Sequence, residues 1–561
     1  MIRGHVEVQD SSSLRKARGA FFTPPAVSEF LARWAIRAET DRALEPSCGE
    51  ASFLLAAASQ LQTLKRPSPY LFDPLADLPQ LVGVEIHDTS ARRAQSALST
   101  CGSSVLIREG DFFDVEPSAD FDAVLGNPPF VRYQNFTGDA RNKSLRAALA
   151  AGVNLTGLAS SWAAFVAHST KFLKTDGRLG MVLPAELLSV TYAAPVRRFL
   201  LARFASIQIV TFERLLFEDA LEDVVLLMAE GTGGCDKIEV VQVRDASDLN
   251  RGKATSVAKK DLRDDRWTAT LVRPDAWEAF TSVADGPLCE RLGDWGTTYL
   301  GVVTGENSFF CLSDGEVKAA GLNERDLLAV SPPGSRHLRA LEFGPKAWAH
   351  LKSEGRRCWL FYPKSDTPSK AAAAYIASGE SRAIDKGYKC SMRTPWWRVP
   401  LVDRPDLFLT YMDHERPRLV TNSAGAQHLN SLYGVKLKRG RKTIGAQMLP
   451  LAALNTVSLL GAEVHGRSYG GGLLKLEPRE ADRIPLPSLS HIQDNADVLA
   501  AIRPQVAHAF ERGDLSKAVT MVDDAIWPKD KLALSLLKTL RQAREFLFQR
   551  RHTRGRGAAD E

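Results

Sequence analysis

The chain has 561 residues, too many for one hydrophobic core, so two or three domains are expected. Its 44% hydrophobic and 25% charged residues are ordinary for a soluble globular protein. Seven scattered cysteines without a CxxC pair argue against a disulfide framework or a structural zinc site, and for a reducing cytoplasm. No apolar run approaches the length of a membrane span, and the first residues lack the apolar core of a secretory signal.

The positive charge of the chain is unevenly distributed. The formal net charge is only +6, but residues 370–442 carry 14 Lys and Arg against 6 Asp and Glu, an excess of 8. A basic segment of this kind favours a polyanion such as nucleic acid. A solvated surface that happens to be rich in Lys and Arg is the alternative.

Residues 20–240 alternate short apolar runs with amphipathic helical patterns. The predicted strands are "RALEP" (42–46), "LVGVEI" (81–86), "SVLIREGD" (104–111), "FDAVLGN" (121–127), "GRLGMVLP" (177–184), "IQIVTF" (207–212) and "DVVLLMAEG" (223–231). This alternation predicts an α/β fold with a doubly wound, largely parallel sheet. Ligands of such sheets bind at the carboxyl ends of the strands.

The sequence changes character after this region. A polar stretch at 244–265 indicates a linker, and from about 290 glycine, proline and aromatic residues multiply. From about 491 the pattern is helical, and it ends in a basic tail. We therefore predict a first domain over 1–240, a linker over 241–289, a mixed, β-rich domain over 290–490 and a helical segment over 491–561.

Acidic residues end three successive predicted strands. Glu45 begins the tight turn of "ALEPSCGEASFL" (43–54), where Gly49 allows a ligand to approach the backbone. Glu85 ends the second strand, where an acid can accept both hydroxyls of a ribose. Asp111 ends the third and could accept from an adenine amino group. Each acid alone could simply cap its strand, but three in succession favour a nucleoside site.

The fourth strand ends in "VLGNPPFVRY" (124–133). Its two prolines cannot donate backbone hydrogen bonds, so an amide and an aromatic ring sit on a stiff corner. The Asn127 side-chain oxygen and the Pro128 carbonyl can both accept from one NH₂ group, and Phe130 offers a stacking face. A planar base with an exocyclic amine fits this arrangement. A rigid turn with a core phenylalanine is the structural alternative.

These motifs together resemble those of the amino-group DNA methyltransferases of the gamma arrangement, in the adenine-specific form found in restriction-modification systems. "GAFFTPPAVSEFLARWA" (19–35) resembles the motif that contacts the methionine part of S-adenosylmethionine, and "EPSCGEASF" resembles the main cofactor loop without its second glycine. "RLLFEDALEDVVLLMAE" (214–230) resembles the motif whose aromatic residue packs on a flipped base, with Phe217 as the match. The cofactor residues implied are Thr23, Pro24, Glu45, Pro46, Gly49, Glu85, Ile86, Asp111, Phe112 and Asn127.

The resemblance implies methyl transfer to the 6-amino group of adenine in duplex DNA. Asn127, Pro128 and Phe130 would be catalytic, with Phe130 and Phe217 stacking on the flipped base. No metal is implied. The region over 290–490 would be the target recognition domain, and a cognate endonuclease could exist as a separate protein. The implied DNA contacts are Arg393, Trp396, Arg398, Lys436, Lys438, Arg439 and Arg441.

Four other functions share parts of this pattern. A glutamine-amide protein methyltransferase also uses an Asn-Pro-Pro-aromatic motif, but the basic domain after 290 would then have no purpose. An adenine methyltransferase acting on RNA has the same catalytic requirements. A bifunctional nuclease would need a Pro-Asp followed by Glu-x-Lys, and neither "RPDLF" (404–408) nor "DGEVK" (314–318) has the missing partner nearby. An inactive DNA-binding subunit is disfavoured because the Asn-Pro-Pro-Phe string is intact.

Overall fold

The structure is a computed structural model. It describes residues 23–65, 79–101, 103–214, 216, 224–252, 254–258, 262, 266–365, 367–469 and 472–556. The chain divides into two compact units. The first, called the catalytic unit below, comprises Met1–Pro274 with Tyr469–Gly471 and His552–Glu561. The second, called the C-terminal unit, comprises Asp275–Ser468 and Gly472–Arg551.

The catalytic unit is built on a nine-stranded sheet with the order β3-β2-β1-β4-β5-β7-β6-β8-β9. Its strands are β1 Ala43–Glu45, β2 Leu81–Glu85, β3 Val105–Glu109, β4 Phe121–Gly126, β5 Leu173–Pro184, β6 Ser206–Phe212, β7 Val224–Glu230, β8 Lys237–Val243 and β9 Ala254–Ala258. The first five strands are parallel, β7 is antiparallel to its neighbours β5 and β6, and β8 is parallel to β6. The prediction of a largely parallel sheet and of its first seven strands is confirmed.

Helices connect these strands. They are α1 Pro25–Ala35, α2 Ser52–Leu64, α3 Asp88–Leu98, α4 Gly138–Ala150, α5 Ser161–Ser169, α6 Glu186–Ser189 and α7 Ala194–Arg203. Each of α2 and α3 follows one parallel strand and precedes the next, which is the alternation of a doubly wound fold. The strands at the centre are buried on both faces, as in β2, where every residue is buried. This is why they appear in the sequence as continuous apolar runs.

The sheet extends beyond the predicted first domain. Strand β9 pairs antiparallel with β8, so residues 254–258, which were predicted to lie in a linker, belong to the sheet. The first three residues of β9 are exposed. An edge strand with an exposed face has little apolar sequence to mark it, and this explains why the polar stretch at 244–265 suggested a linker.

The C-terminal unit is mixed α/β with short strands, which agrees with the mixed architecture predicted for it. The strands are β10 Cys289–Arg291, β11 Gly296–Leu300, β12 Cys311–Leu312, β13 Leu327–Ala329, β14 Trp359–Phe361, β15 Leu407–Leu409, β16 Met412–Asp413, β17 Leu419–Thr421, β18 Tyr433–Leu437, β19 Arg467–Tyr469, β20 Leu473–Lys475 and β21 Pro485–Pro487. The largest sheet has four antiparallel strands in the order β11-β18-β15-β17.

Helices also form much of the C-terminal unit. They are α8 Pro274–Ala284, α9 Leu292–Trp295, α10 Asn307–Phe310, α11 Asp314–Ala319, α12 Pro345–Ser353, α13 Lys370–Ser381, α14 Tyr388–Ser391, α15 Lys442–Ala452, α16 Thr456–His465, α17 Pro478–Ala481, α18 Leu489–Asp494, α19 Ala496–Glu511, α20 Leu515–Ile526 and α21 Lys531–Arg556. The last four confirm the predicted helical segment after 491. The unit has an aromatic core in which Phe309, Phe310 and Phe361 are fully buried.

No single described helix is long and apolar enough to cross a membrane. One pair, Arg439–Ala452 with Thr456–His465, passes the length and composition test only when joined, across a bend of 87°.

Candidate active site

The predicted site residues meet at one edge of the central sheet. Strands β3, β2, β1 and β4 are adjacent and parallel, so their carboxyl ends lie side by side. The connecting backbone is in direct contact: the Cys48 amide donates to the Val84 carbonyl at 3.0 Å, and the Gly110 amide donates to the Glu85 carbonyl at 2.9 Å. The structure therefore brings together the loops that follow all four strands, as their sequence positions predicted.

Glu85 ties the loop after β1 to the end of β2. It is 5% exposed, and its Oε2 accepts from the Gly49 amide at 2.8 Å while Oε1 accepts from the His87 amide at 2.9 Å. Each carboxylate oxygen has a second lone pair, so Glu85 can still accept from a ligand's hydroxyls. The two amide bonds fix the direction in which those lone pairs point.

The Glu45 side chain is more deeply buried and caps α2. Its Oε2 accepts from the Leu54 amide at 3.1 Å, and the residue is 2% exposed. Burial raises the pKa of Glu45 well above its ordinary value, and the nearby negative charge of Glu85 adds to this rise. A cationic ligand beside this buried pair of carboxyl groups would favour their ionised form.

The cofactor loop compensates for its missing second glycine. Ala51 precedes α2 with φ +67°, in the left-handed region that a glycine adopts without strain. The loop lies close against β2: a Cβ on Gly83 would lie 2.9 Å from Cys48 Sγ. A bare glycine in the strand is thus what allows the Pro-Ser-Cys-Gly turn to approach it.

The donor set and the space at this edge fit S-adenosylmethionine. Gly49 and Gly110 flank Glu85, and apart from the adjoining residues no atom of the described part of the chain lies within 4 Å of the position where a Cβ would stand on either glycine. Ile86 is 59% exposed and follows Glu85 directly, so it offers apolar surface for a flat ring. Carboxylates, open backbone and one exposed aliphatic side chain are the groups that a nucleoside with a cationic tail requires.

Two further predicted cofactor residues have structural partners. Asp111 Oδ1 accepts from the Phe113 amide at 3.0 Å and so caps a single helical turn. The ring of Phe112 is 2% exposed and packs in an aromatic cluster, 5.6 Å from the Phe165 ring and 4.9 Å from the His168 ring. The capping alternative considered for Asp111 is thus present, although its carboxylate retains lone pairs for a ligand. The Phe112 ring is therefore part of the buried core at this edge and does not present an exposed face to a ligand.

The Asn127 side chain is oriented by the segment before α1. Its Nδ2 donates to the Thr23 hydroxyl at 3.2 Å, across 104 positions of sequence. The nitrogen Nδ2 is the donor in this bond, and Oδ1 is the atom of this side chain that can accept a hydrogen bond from an amine. Thr23 and Pro24, predicted as cofactor contacts, therefore lie beside the Asn-Pro-Pro-Phe corner.

The Pro-Pro-Phe corner is fastened by Ser161, the first residue of α5. The Ser161 hydroxyl donates to the Pro129 carbonyl and accepts from the Val131 amide at 2.9 Å. The Ser161 amide donates to the Val131 carbonyl at 3.1 Å. Three hydrogen bonds from one residue that is 1% exposed hold the backbone on both sides of Phe130, whose own side chain is 6% exposed.

A second set of hydrogen bonds supports the start of α5. The Trp162 indole donates to the Tyr192 hydroxyl at 3.1 Å, and that hydroxyl lies 3.1 Å from Ser160 Oγ and donates to Glu186 at 2.5 Å. Burial raises the pKa of Tyr192 well above its ordinary value, and Glu186 adds to the rise, so the phenol keeps its proton. Sequence reasoning singled out none of these residues, nor Ser161; "SSWAAF" indicates a helix start, but not what it contacts.

Comparison with known proteins finds two family models that match successive parts of the chain. Residues 9–276 match the N-6 DNA methylase family, and residues 264–527 match the C-terminal domain of the Type II methyltransferase M.Eco57I. This chain is an N-6 adenine DNA methyltransferase. It uses S-adenosylmethionine, and it belongs to the restriction-modification context of its relatives.

Named relatives align with most of the methyltransferase. Type II methyltransferase M.AccI of Acinetobacter calcoaceticus is 22% identical over 84% of this chain and 85% of its own length. M.XamI of Xanthomonas campestris pv. amaranthicola is 25% identical over 84% and 86%. The structure of the Type IIL restriction-modification enzyme MmeI in complex with DNA covers 93% of this chain and 75% of its own, at 12% identity and a TM-score of 0.56. This last likeness shows a shared fold.

Most of the predicted DNA contacts of the methyltransferase have partners within the C-terminal unit. Arg393 donates to the carbonyls of Thr304 and Val303 at 2.8 and 2.6 Å. The other partners are the Ser365 carbonyl for Arg398, the Arg404 carbonyl for Lys436, Glu290 for Arg441 and Glu380 for Trp396. The Trp396 ring also packs 5.5 Å from the Phe309 ring, against the aromatic core of the unit.

Lys438 and Arg439 are different. Both are exposed, and neither side chain makes an ion pair or a hydrogen bond within the described part of the chain. Of the seven predicted contacts, these two side chains are available for phosphate. Phe217 lies outside the described residues. Among those that are described, no three His, Cys, Asp or Glu side chains are grouped as metal ligands.

Proposed function

We propose that this methyltransferase is a Type II modification enzyme that methylates the 6-amino group of adenine at a specific site in duplex DNA, and that any endonuclease acting at the same site is a separate protein. Relatives with the Type II designation align with more than four-fifths of this chain, which supports the proposal. Neither "RPDLF" (404–408) nor "DGEVK" (314–318) has the missing partner of a nuclease metal site nearby, and this supports the separation of the nuclease.

The residues proposed to hold the cofactor are those at the ends of β1 to β3. Glu85 accepts from the ribose hydroxyls, Ile86 covers one face of the adenine, and Asp111 accepts from its amino group. Thr23, Pro24, Glu45, Pro46 and Gly49 surround the methionine part. The support is the contact between these loops through the Glu85 carboxylate and the open space beside Gly49.

The residues proposed to activate the target are Asn127 and Pro128. An adenine amino nitrogen is a poor nucleophile because its lone pair is delocalised into the ring. The Asn127 Oδ1 and the Pro128 carbonyl accept hydrogen bonds from its two N–H groups, which favours a pyramidal amine with a localised lone pair. S-adenosylmethionine, held by the residues at the ends of β1 to β3, would supply an electrophilic methyl group to the amine nitrogen, and the proton that the amine loses would pass to solvent. Alignment contributes much of the rate.

Phe130 is proposed to stack on the flipped base. Flipping costs a few kcal/mol, and stacking of about 1–3 kcal/mol per base can offset it. The ring is 6% exposed, so the base meets its exposed edge or the ring turns outward as the base enters. Phe217 would supply a second stacking face.

The hydrogen bond from Asn127 Nδ2 to the Thr23 hydroxyl carries this proposal, because it orients the side chain whose Oδ1 is proposed to accept from the amine. Asn127→Ala should abolish methylation while leaving DNA and cofactor binding nearly intact, since its contribution is concentrated in the transition state. Phe130→Ala should lower turnover and loosen the flipped base, and Phe130→Tyr should keep much of the activity.

The assay is transfer of a radiolabelled methyl group to duplex DNA, with 2-aminopurine fluorescence at the target position to report flipping. Sequencing of DNA from a methylation-free host that expresses the protein identifies the modified adenines. Near-normal methyl transfer by Asn127→Ala would show that the Asn-Pro-Pro-Phe corner is only structural. Methylation of transcript RNA but not of naked duplex DNA would move the substrate to RNA.

A further inference from the structure

Two large apolar side chains of the C-terminal unit project into solvent side by side. Tyr388 and Met392 are each 74% exposed, more than any other large apolar side chain among the described residues. They are four positions apart on α14 and its C-cap, so they lie on the same face of one helical turn. We call residues 386–393 the Tyr388 turn. An exposed apolar pair of this size marks an interaction surface when its surroundings are polar.

The Tyr388 turn is firmly attached to the core. Between the two exposed side chains, Cys390 is 1% exposed, and its thiol lies 3.9 Å from the Thr304 carbonyl. Arg393 holds the same carbonyl at 2.8 Å. Gly305 has φ +89°, and a Cβ there would lie 2.9 Å from the Lys389 Cβ, so the turn packs directly on this glycine. Tyr388 and Met392 therefore project from a fixed base.

The charge around the pair identifies its partner. Residues 382–393 contain four basic residues and one acid, Asp385. Arg382, Lys386 and Lys389 are exposed, and the Lys389 ammonium lies 5.3 Å from the centre of the Tyr388 ring. Positive charge around this apolar pair favours a partner that combines negative charge with an apolar interior. A DNA duplex has both, in its phosphate backbone and its stacked bases. A second copy of this chain would bring the same charges and be repelled.

We propose that Tyr388 and Met392 form a wedge that inserts at a base step of the DNA duplex, while Lys386 and Lys389 contact the flanking phosphates. The inference rests on the proposed action on duplex DNA. Apolar side chains inserted between base pairs unstack them and kink the duplex, and the ring of a tyrosine replaces part of the stacking that is lost. The rigid base matters here, because a mobile loop would lose entropy on insertion.

The wedge and the lysines should give different signatures in binding. Tyr388→Ala with Met392→Ala should weaken binding to a duplex containing the methylated sequence about ten- to a hundredfold, because stacking is lost. The salt dependence should stay unchanged, since no counterion is released by an apolar contact. Lys386→Ala with Lys389→Ala should lower the slope of log K against log salt by about 0.9 for each phosphate lost. Fluorescence anisotropy over a range of salt concentrations measures both quantities.

Controls separate this inference from its alternatives. Leu534→Ala removes a half-exposed leucine from α21 and should leave binding unchanged. Tyr388→Phe with Met392→Leu should restore binding, because a ring and an apolar side chain are again present. Wild-type affinity in the double alanine variant would overturn the wedge, as would dimerisation of the wild type that this variant abolishes in sedimentation. Asn127→Ala should bind the duplex with wild-type affinity and salt dependence but should not methylate it. A negative result for the wedge therefore would not contradict the proposed methyl transfer.

Discussion

Removal of the Ser161 hydroxyl should disturb catalysis without touching any reacting atom. In Ser161→Ala the Pro129 carbonyl and the Val131 amide both lose a buried partner, while the bond from the Ser161 amide to the Val131 carbonyl remains. A buried polar group left unsatisfied costs about 1–3 kcal/mol, and an ordinary hydrogen bond contributes about 0.5–1.5 kcal/mol. Since one of three bonds survives and the loop can relax, we expect a destabilisation of about 1–3 kcal/mol.

The effect on rate should exceed the effect on stability. The backbone between Pro129 and Val131 carries Phe130 and adjoins the Pro128 carbonyl, which is proposed to accept from the amine. A displacement of about 1 Å at a catalytic group can cost on the order of a hundredfold in rate. We therefore expect kcat to fall about ten- to a hundredfold, with the dissociation constant of S-adenosylmethionine nearly unchanged, because Glu85 and the loop after β1 do not contact Ser161.

The matched control is Ser169→Ala. Ser169 lies on the same helix, is fully buried, and its hydroxyl has no hydrogen-bond partner within the described part of the chain. Single-turnover methyl transfer, cofactor titration by calorimetry and urea unfolding should be measured for both variants. The positioning role is refuted if kcat of Ser161→Ala stays within about threefold of wild type, or if Ser169→Ala loses the same activity.

Two more predictions concern charge. Burial raises the pKa of Glu45, so a cationic cofactor that favours the ionised carboxylate should bind more tightly as pH rises, until Glu45 is ionised in the free protein. Glu45→Gln should weaken cofactor binding and abolish its pH dependence, both measured by calorimetry. The raised pKa of Glu45 also lowers the unfolding free energy of the wild type as pH rises, and the variant should not show this decrease. Lys438→Ala with Arg439→Ala should flatten the salt dependence of DNA binding by up to about 1.8 in slope, whereas the internally bonded Lys436 should have little effect when replaced.

Periodicity and strand position predicted the catalytic unit well. The seven apolar runs predicted as strands are strands, and those at the centre of the sheet, such as β2, are apolar because they are buried on both faces. Parallel strands end at one edge, so residues that follow them in sequence must meet in space. Glu45, Glu85 and Asn127 could therefore be placed together without knowing any contact between them.

The contacts that orient those residues could not be predicted in the same way. The hydrogen bond from Asn127 to Thr23 spans 104 positions of sequence. The hydrogen bonds that hold the Pro-Pro-Phe backbone come from Ser161, and serine is a residue type that begins many helices. A local pattern contains no information about a partner that only the folded chain brings near. The strand at 254–258 was missed for a related reason, since an exposed edge strand has no apolar face to reveal it.

Charge and aromatic content were least informative about the basic segment, and the reason is physical. The guanidinium group of an arginine donates hydrogen bonds to backbone carbonyl groups as readily as to phosphates, and Arg393 donates to two carbonyl groups of its own unit. Trp396 similarly packs in the core and donates to Glu380. The excess of 8 positive charges over 370–442 therefore overstates the charge that DNA can meet.

The proposed wedge gives one of these internally bonded residues, Arg393, an indirect role in recognition. Arg393 fixes the Thr304 carbonyl and, with Cys390, the turn from which Tyr388 and Met392 project. If that turn enters the duplex, Arg393→Ala should weaken DNA binding through loss of a rigid base, and the salt dependence should not change because no phosphate contact is lost. A residue first predicted to contact DNA by its charge would then act by holding the residues that do.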